Sequence, residues 1–254
     1  MKFKVSILLC LFLSIISCEQ EKSLNKTKSY NVDTLLTWSQ NIDLKKEKRL
    51  AFLKKADSIL VRNYNPKFRD RYYLLASIYH YNSNEKRSFE ILDFVKDKSL
   101  LVKDTLGLIL TNCQIANSNS RALRIDSAYY YFTKAEKLST SLKSKPYMDF
   151  ILLNKADLLC FQRDYVGAEV KAVEALKIAK RKKNDRLIYD CYITIGNSLS
   201  GIKNYESAKE YYHKSINRSK ELKGDPQYVT LKAQPYNYIA DIFLNKGDYI
   251  STIN

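Results

Sequence analysis

The chain has 254 residues, with 43 lysines and arginines against 27 aspartates and glutamates and a formal net charge of +16. Only six glycines and four prolines are spread over that length, too few turn-formers for a many-stranded β protein. Abundant Leu, Ile, Lys, Ala and Tyr favour long helices, so the expectation is all-α, arranged as one extended array or as two ordinary domains.

Lys2 and Lys4 precede an apolar run, Val5 to Ile16, that is too short to span a bilayer stably and suits the hydrophobic part of an export signal. The run ends Ile15-Ile16-Ser17-Cys18, with an aliphatic residue three before the cysteine and a small one directly before it. This resembles a bacterial lipobox. The resemblance implies a signal peptide over 1–17, lipid on Cys18, and residence at the cell envelope on the inner or outer membrane; a plain signal peptide containing a cysteine is the alternative. Losing Lys2 and Lys4 takes the charge from +16 to +14. For an exported chain the anionic surfaces at hand are lipid headgroups and polysaccharide, so nucleic acid is not expected as a partner. Residues 18–29 are polar and aperiodic, as in a flexible tether.

Helical periodicity begins at Tyr30. Leu35, Leu36 and Trp38 mark one segment; Leu50, Phe52, Leu53, Ala56, Ile59 and Leu60 mark the next. Residues 30–66 therefore read as a degenerate or capping hairpin. Beyond residue 66 a forty-residue period emerges. Ser88, Ala128, Ala168 and Ala208 are all small; four residues after each stand Leu92, Phe132, Ala172 and Tyr212, and seven after stand Val95, Ala135, Ala175 and Ser215. On the preceding helices the matching pairs are Leu75-Ala76, Ile115-Ala116, Lys155-Ala156 and Ile195-Gly196. Small residues at fixed positions let helices approach closely while large ones fill the gaps. Lys155 breaks the apolar pattern and is expected to snorkel or to turn outward.

The copy from Leu187 to Leu222 is the clearest. Tyr192, Ile195, Gly196 and Leu199 form one helical face, Tyr205, Ala208, Tyr212 and Ser215 another, and Gly201 with Lys203-Asn204 interrupts them as a turn. Its pattern of aromatic, aliphatic-glycine and large residue, then alanine and an aromatic four residues on, resembles the tetratricopeptide repeat. That resemblance implies a right-handed α-solenoid of antiparallel helical hairpins over 67–254. Forty exceeds the family's usual repeat by six. Pro66, Pro146 and Pro226 recur six positions later than the family's closing proline, so the second helices are expected to be longer. Extra residues around Gly224 to Lys232 shift the phase, and Pro235 suits the first turn of another helix. A fifth hairpin then starts with Tyr236, Ile239, Ala240 and Phe243, turns at Asn245 to Gly247, and breaks off soon after Tyr249; the reading is of a truncated product whose longer relatives continue.

Catalytic signals are lacking. No Walker loop, GxSxG elbow or GxGxxG is present, and neither His80 nor His213 has a second metal-type ligand at a useful spacing. No enzyme activity, cofactor or metal is expected. Cys113, Cys160 and Cys191 lie in apolar helical contexts and read as small core residues. Lys180-Arg181-Lys182-Lys183 ends a second helix, where cations favour the dipole and stay solvated. The run Tyr129-Tyr130-Tyr131 points in three directions about 100° apart, so one ring can be core while another is exposed.

In the family, first helices line a concave groove. Matching positions here are Asn117, Asp157, Asn197 and Asp241, with Gln114, Asn154, Thr194 and Tyr238 beside them. Such a row suits hydrogen bonding to an extended peptide backbone, or is simply a solvated helix face. The positions that clamp a terminal carboxylate in the chaperone-tail subset hold Tyr73 and Cys113, so that ligand class is not implied. The resemblance as a whole implies a lipid-anchored scaffold that binds a protein or peptide, similar to the amino-terminal halves of envelope signalling proteins of Bacteroidetes type. A structural assembly lipoprotein of an outer-membrane complex is the alternative.

Overall fold

The computed structural model describes residues 31–62, 64–225 and 228–245. The expectations of an export signal, of lipid on Cys18, of a tether and of a second helix beginning at Tyr249, together with Pro226 and Gly247, fall outside the described residues. Among the described residues there are eleven α-helices and no strand. The chain divides into two compact units, one ending at Ile59 and the other starting at Leu60.

In the first unit, α1 (Val32–Gln40) is capped by Asn31, whose side chain accepts the Asp33 N–H, and it buries Leu35 and Leu36. α2 (Lys46–Leu60) buries Leu53 and Ala56, and its Phe52 ring lies 5.0 Å from Trp38. The second unit takes up the chain from Leu60, a few residues before the sequence-based boundary. Its first residues fold back onto the array: the Tyr72 hydroxyl donates to the Leu60 carbonyl at 3.0 Å and accepts the Asn65 N–H at 3.1 Å, and the Tyr64 and Tyr72 rings stack.

Four complete hairpins follow: α3 (Arg69–Tyr81) with α4 (Glu85–Leu101), α5 (Thr105–Arg121) with α6 (Ile125–Thr140), α7 (Met148–Phe161) with α8 (Tyr165–Lys182), and α9 (Asp185–Gly201) with α10 (Tyr205–Ser219). α11 (Tyr228–Asn245) packs on α10. Each helix packs on the next, and each first helix also packs on the first helix of the neighbouring hairpin. The unit is an all-α solenoid of tetratricopeptide-like hairpins.

The period is visible in the backbone itself. The four first helices end at Tyr81, Arg121, Phe161 and Gly201. Two residues further on, Ser83, Leu123, Arg163 and Lys203 adopt left-handed backbone with φ of 60°, 56°, 63° and 63°. The next N–H in each copy reaches back five residues, Asn84 to Tyr79, Arg124 to Asn119, Asp164 to Leu159 and Asn204 to Leu199, every bond 2.9 Å. These satisfy carbonyls that a helix end would otherwise leave orphaned. Asn84, Asp164 and Asn204 then cap the following helix through their side chains; Arg124 does not. Gly201 therefore stands before the left-handed turn position, which Lys203 occupies. What Gly201 provides is room: a Cβ there would come 2.4 Å from the Tyr165 ring.

The small residues form the seams. Ser88, Ala128, Ala168 and Ala208 are fully buried, as are Ala76, Ala116 and Ala156, and the Ser88 hydroxyl donates to the Ala76 carbonyl at 2.8 Å. At Gly196 the fit is glycine against aromatic, since a Cβ would lie 2.5 Å from Tyr212 Cε1. Ala240, the matching residue of α11, is only partly buried. Of the three tyrosines, Tyr129 and Tyr131 pack on the core while Tyr130 is exposed.

Four expectations need correction. The extra length of the repeat is not confined to second helices, because α5 and α9 also begin four residues earlier, relative to the period, than α3, and Pro66 and Pro146 precede the shorter first helices α3 and α7. Lys155 neither snorkels nor faces solvent. It is buried, with Nζ 2.6 Å from Glu136, 3.3 Å from the Thr133 hydroxyl and 4.5 Å from the centre of the Tyr129 ring, three residues on one face of α6. Pro235 lies well inside α11 rather than in its first turn. The helix tolerates it because the carbonyl that loses a partner, that of Leu231, accepts the Tyr189 hydroxyl at 2.8 Å. Finally, the cations ending α8 are not all merely solvated: Lys182 pairs with the buried Asp149 at 2.7 Å, and Lys180 sits 5.8 Å from the Tyr192 ring.

Candidate binding cleft

Side chains from α5, α7, α9 and α11 enclose a cleft of about 580 Å³. All four are first helices or their equivalent, so the alternation of the solenoid brings one helix of each hairpin to this face. Along a helix, residues three and four apart share a side, and the cleft is built from three such positions. Phe150, Asp190 and Gln234 occupy the first; Asn154, Thr194 and Tyr238 the second, one turn on; Asp157 and Asn197 the third.

Internal bonds orient the polar groups. Asn154 donates Nδ2 to the Phe150 carbonyl at 2.8 Å, which leaves its Oδ1 as the acceptor on offer. Asn197 is held the other way, its Oδ1 accepting the Tyr212 hydroxyl at 2.9 Å, which leaves an amide N–H donor. Tyr238 stacks on Tyr212 with ring centres 5.4 Å apart and accepts from Gln234 Nε2 at 3.0 Å. The Thr194 hydroxyl lies 2.8 Å from Asp157 Oδ1 and 3.2 Å from the Asp190 carbonyl. Arg186 donates to Asp190 at 3.1 Å and to Asp225 at 2.8 Å.

Burial pushes the Asp157 carboxyl up to about 7; the Thr194 hydroxyl opposes that shift and the Asp190 charge adds to it. Burial also raises Asp190, against the pull of Arg186.

Five of the eight residues read as groove positions, Asn154, Asp157, Thr194, Asn197 and Tyr238, thus share one cleft. The other three lie elsewhere. Gln114 is 1% exposed and neither amide atom has a hydrogen-bond partner; Asn117 donates to the Tyr73 hydroxyl at 3.3 Å; Asp241 is exposed on α11. A buried Gln114 offers nothing to a ligand. The residues that sequence reasoning missed, Phe150, Asp190 and Gln234, sit one turn before the stripe it chose, and extending the stripe by four residues finds all three. Cys160 packs partly buried against the core and also lines the cleft, its sulfur 3.4 Å from the Ser198 hydroxyl, whereas Cys113 and Cys191 are fully buried.

Among the described residues no three His, Cys, Asp or Glu side chains are grouped to hold a metal ion, and no helix is long and apolar enough to cross a membrane.

No family model and no curated protein sequence matches the chain. Solved structures do match in fold. BtubC from P. vanneervenii superposes with a TM-score of 0.60 at 17% identity, covering 88% of this chain and 87% of that one. Aspartyl phosphate phosphatase F from Bacillus subtilis gives 0.61 at 15% identity over 87% of this chain and 65% of its own. A STAND-type signal transduction ATPase with a tetratricopeptide repeat sensor from Pyrococcus horikoshii gives 0.54 at 19%, over 80% of this chain and 36% of its own. At these identities the likeness is one of fold.

Proposed function

We propose that the chain is a tetratricopeptide-like scaffold that works by binding an extended segment of a protein, and that the cleft between α7, α9 and α11 is where the segment lies. The carrying observation is the opposed setting of two amides: Asn154 presents an acceptor and Asn197 a donor on first helices that pack together. Packed helices lie about 8–10 Å apart, roughly three residues of extended chain. A backbone N–H and a backbone C=O of one strand therefore meet their complements without any side-chain requirement.

The finer reading places this scaffold at a bacterial cell envelope, held by lipid on Cys18, as the sensory or interaction part of a signalling protein. What supports it is the sequence Ile15-Ile16-Ser17-Cys18 within and after the apolar run, together with a helical array of a kind that also serves as the sensor of the Pyrococcus horikoshii STAND protein.

Photo-crosslinking tests the binding reading. A photoreactive residue at Asn197 is expected to capture a partner from envelope extract that the same residue at exposed Lys137, on second helix α6, does not. Equal capture at both positions overturns it. Labelling with radioactive palmitate tests the anchor: incorporation should vanish in Cys18→Ala, and persistence there would refute lipidation at that residue.

A further inference from the structure

Granted that the cleft holds a peptide, we infer that the bound segment carries a lysine or arginine whose cation lies against Asp157 and Asp190. The charge of the chain points the other way, with 43 basic against 27 acidic residues, yet the cleft is lined by two carboxylates and by no lysine, arginine or histidine. The inversion is local to this face of the first helices.

The two carboxylates differ in what already satisfies them. Asp190 shares Arg186 with Asp225, so its charge is partly met from within the fold. Asp157 is met only by the Thr194 hydroxyl, a neutral donor, and has no cationic partner among the described residues. A carboxylate partly withdrawn from water without a counter-charge is costly, and covering it with a neutral or acidic peptide makes the cost larger. A ligand cation removes that cost, and so converts it into preference for one kind of side chain.

The walls fit the rest of such a side chain. Phe150 and Tyr238 line the same cleft as the carboxylates, and Phe161 stands at the end of α7 with 64% of its surface exposed. Aromatic faces accept the methylene stem of lysine or arginine and attract the cation itself. The volume of about 580 Å³ suits a short stretch of chain with one long side chain directed inward.

Selection of randomised heptapeptides displayed on phage against the full chain tests this. The expected result is enrichment for lysine or arginine at one position. A synthetic copy of a selected peptide should then lose at least about tenfold in affinity when that lysine is replaced by norleucine, which keeps the stem and removes the charge. Asp157→Asn should cost about as much for the cationic peptide and should leave the norleucine peptide bound no more weakly, or more tightly, the non-additivity that marks direct contact. Asp190→Asn serves as the second variant, and thermal melts of both verify folding. Peptides that depend on Asn154 and Asn197 but are enriched in neutral or acidic residues would overturn the cation and leave the peptide groove standing. Failure to select any peptide whose binding falls in Asn154→Ala or Asn197→Ala would overturn both.

Discussion

The Tyr189 hydroxyl donates a 2.8 Å hydrogen bond to the carbonyl of Leu231, the group that Pro235 leaves without its helical partner. In an α-helix the N–H of residue 235 would serve that carbonyl, and proline has none. Tyr189 is fully buried on α9, so the bond ties the last described helix to the fourth hairpin at the point where α11 is weakest.

Tyr189→Phe should therefore cost about 1–2 kcal/mol, because a carbonyl is left unsatisfied in the core. Pro235→Ala restores the backbone donor, so in that background the same change should cost clearly less. A double-mutant cycle by urea denaturation measures the coupling; equal costs in both backgrounds would mean that the tyrosine does not substitute for the missing N–H.

A second prediction concerns the seam of the fourth hairpin. The Tyr212 ring cannot readily yield to a new Cβ at residue 196, since its hydroxyl is bonded to Asn197 and its face is stacked on Tyr238. Gly196→Ala should destabilise by about 1–3 kcal/mol through overpacking. Ala208→Arg, which forces a charge into a fully buried site, should cost on the order of 3 kcal/mol. Thermal melts test both, and unchanged transitions would mean that the repeat register is misassigned.

The turns give a prediction of opposite sign. Leu123 and Lys203 hold φ of 56° and 63°, where a Cβ is unfavourable and glycine is not. Both are exposed, so replacement loses little packing. Lys203→Gly should leave stability unchanged or raise it by up to roughly 1 kcal/mol, despite glycine's greater freedom when unfolded. A clear fall in melting temperature would show that the lysine side chain contributes more than its backbone costs.

The repeat was legible in the sequence because close packing writes a strict rule: Ala76, Ala116, Ala156 and Gly196, against Ser88, Ala128, Ala168 and Ala208, leave no room for a larger residue, and spacing reveals them. Lys155 was misread because its counter-charge, Glu136, lies on another helix nineteen residues away in sequence, and pairing across helices carries no local signal. Pro235 was misread for the same reason, since its compensation comes from Tyr189. The groove was half legible. Its register followed from periodicity, but which members reach a common cleft depends on how successive hairpins stack, and that left Gln114 buried and Asp241 outside.

Lys155 and Glu136 supply the next test. Their side chains are 6% and 26% exposed, so removing Glu136 strands the lysine away from water, whereas Glu136 without Lys155 keeps contact with solvent. Glu136→Ala should destabilise by about 2–4 kcal/mol, whereas Lys155→Leu, which restores the apolar residue of the other copies, should be close to neutral. If both variants melted alike, the pair would matter as a unit and not through the stranded lysine.

The last prediction follows from Asp157, whose carboxyl is pushed up to about 7 from an ordinary value of 3.8, by burial first, with the Asp190 charge adding and the Thr194 hydroxyl opposing. Between those values the folded chain holds a proton that the unfolded chain has released, so this residue's contribution to stability is greatest at the acid end and is lost as pH rises towards 7. Asp157→Asn should then be the more stable protein at pH 8 by about 1–2 kcal/mol, a figure reduced from the full linkage value because the cleft admits water. At pH 4 the advantage should disappear. Binding of a cationic peptide should show the reverse dependence. The peptide must displace the proton, so affinity should rise from pH 6 to pH 8 in the wild type and much less in Asp157→Asn. The charged group acting on Asp157 is Asp190 on α9, itself bonded to Arg186; α11 presents Gln234 and Tyr238 to the cleft. Urea melts and binding titrations at pH 4, 6 and 8 on the two proteins decide it: parallel pH curves for wild type and Asp157→Asn would show that Asp157 is not the group that takes up the proton.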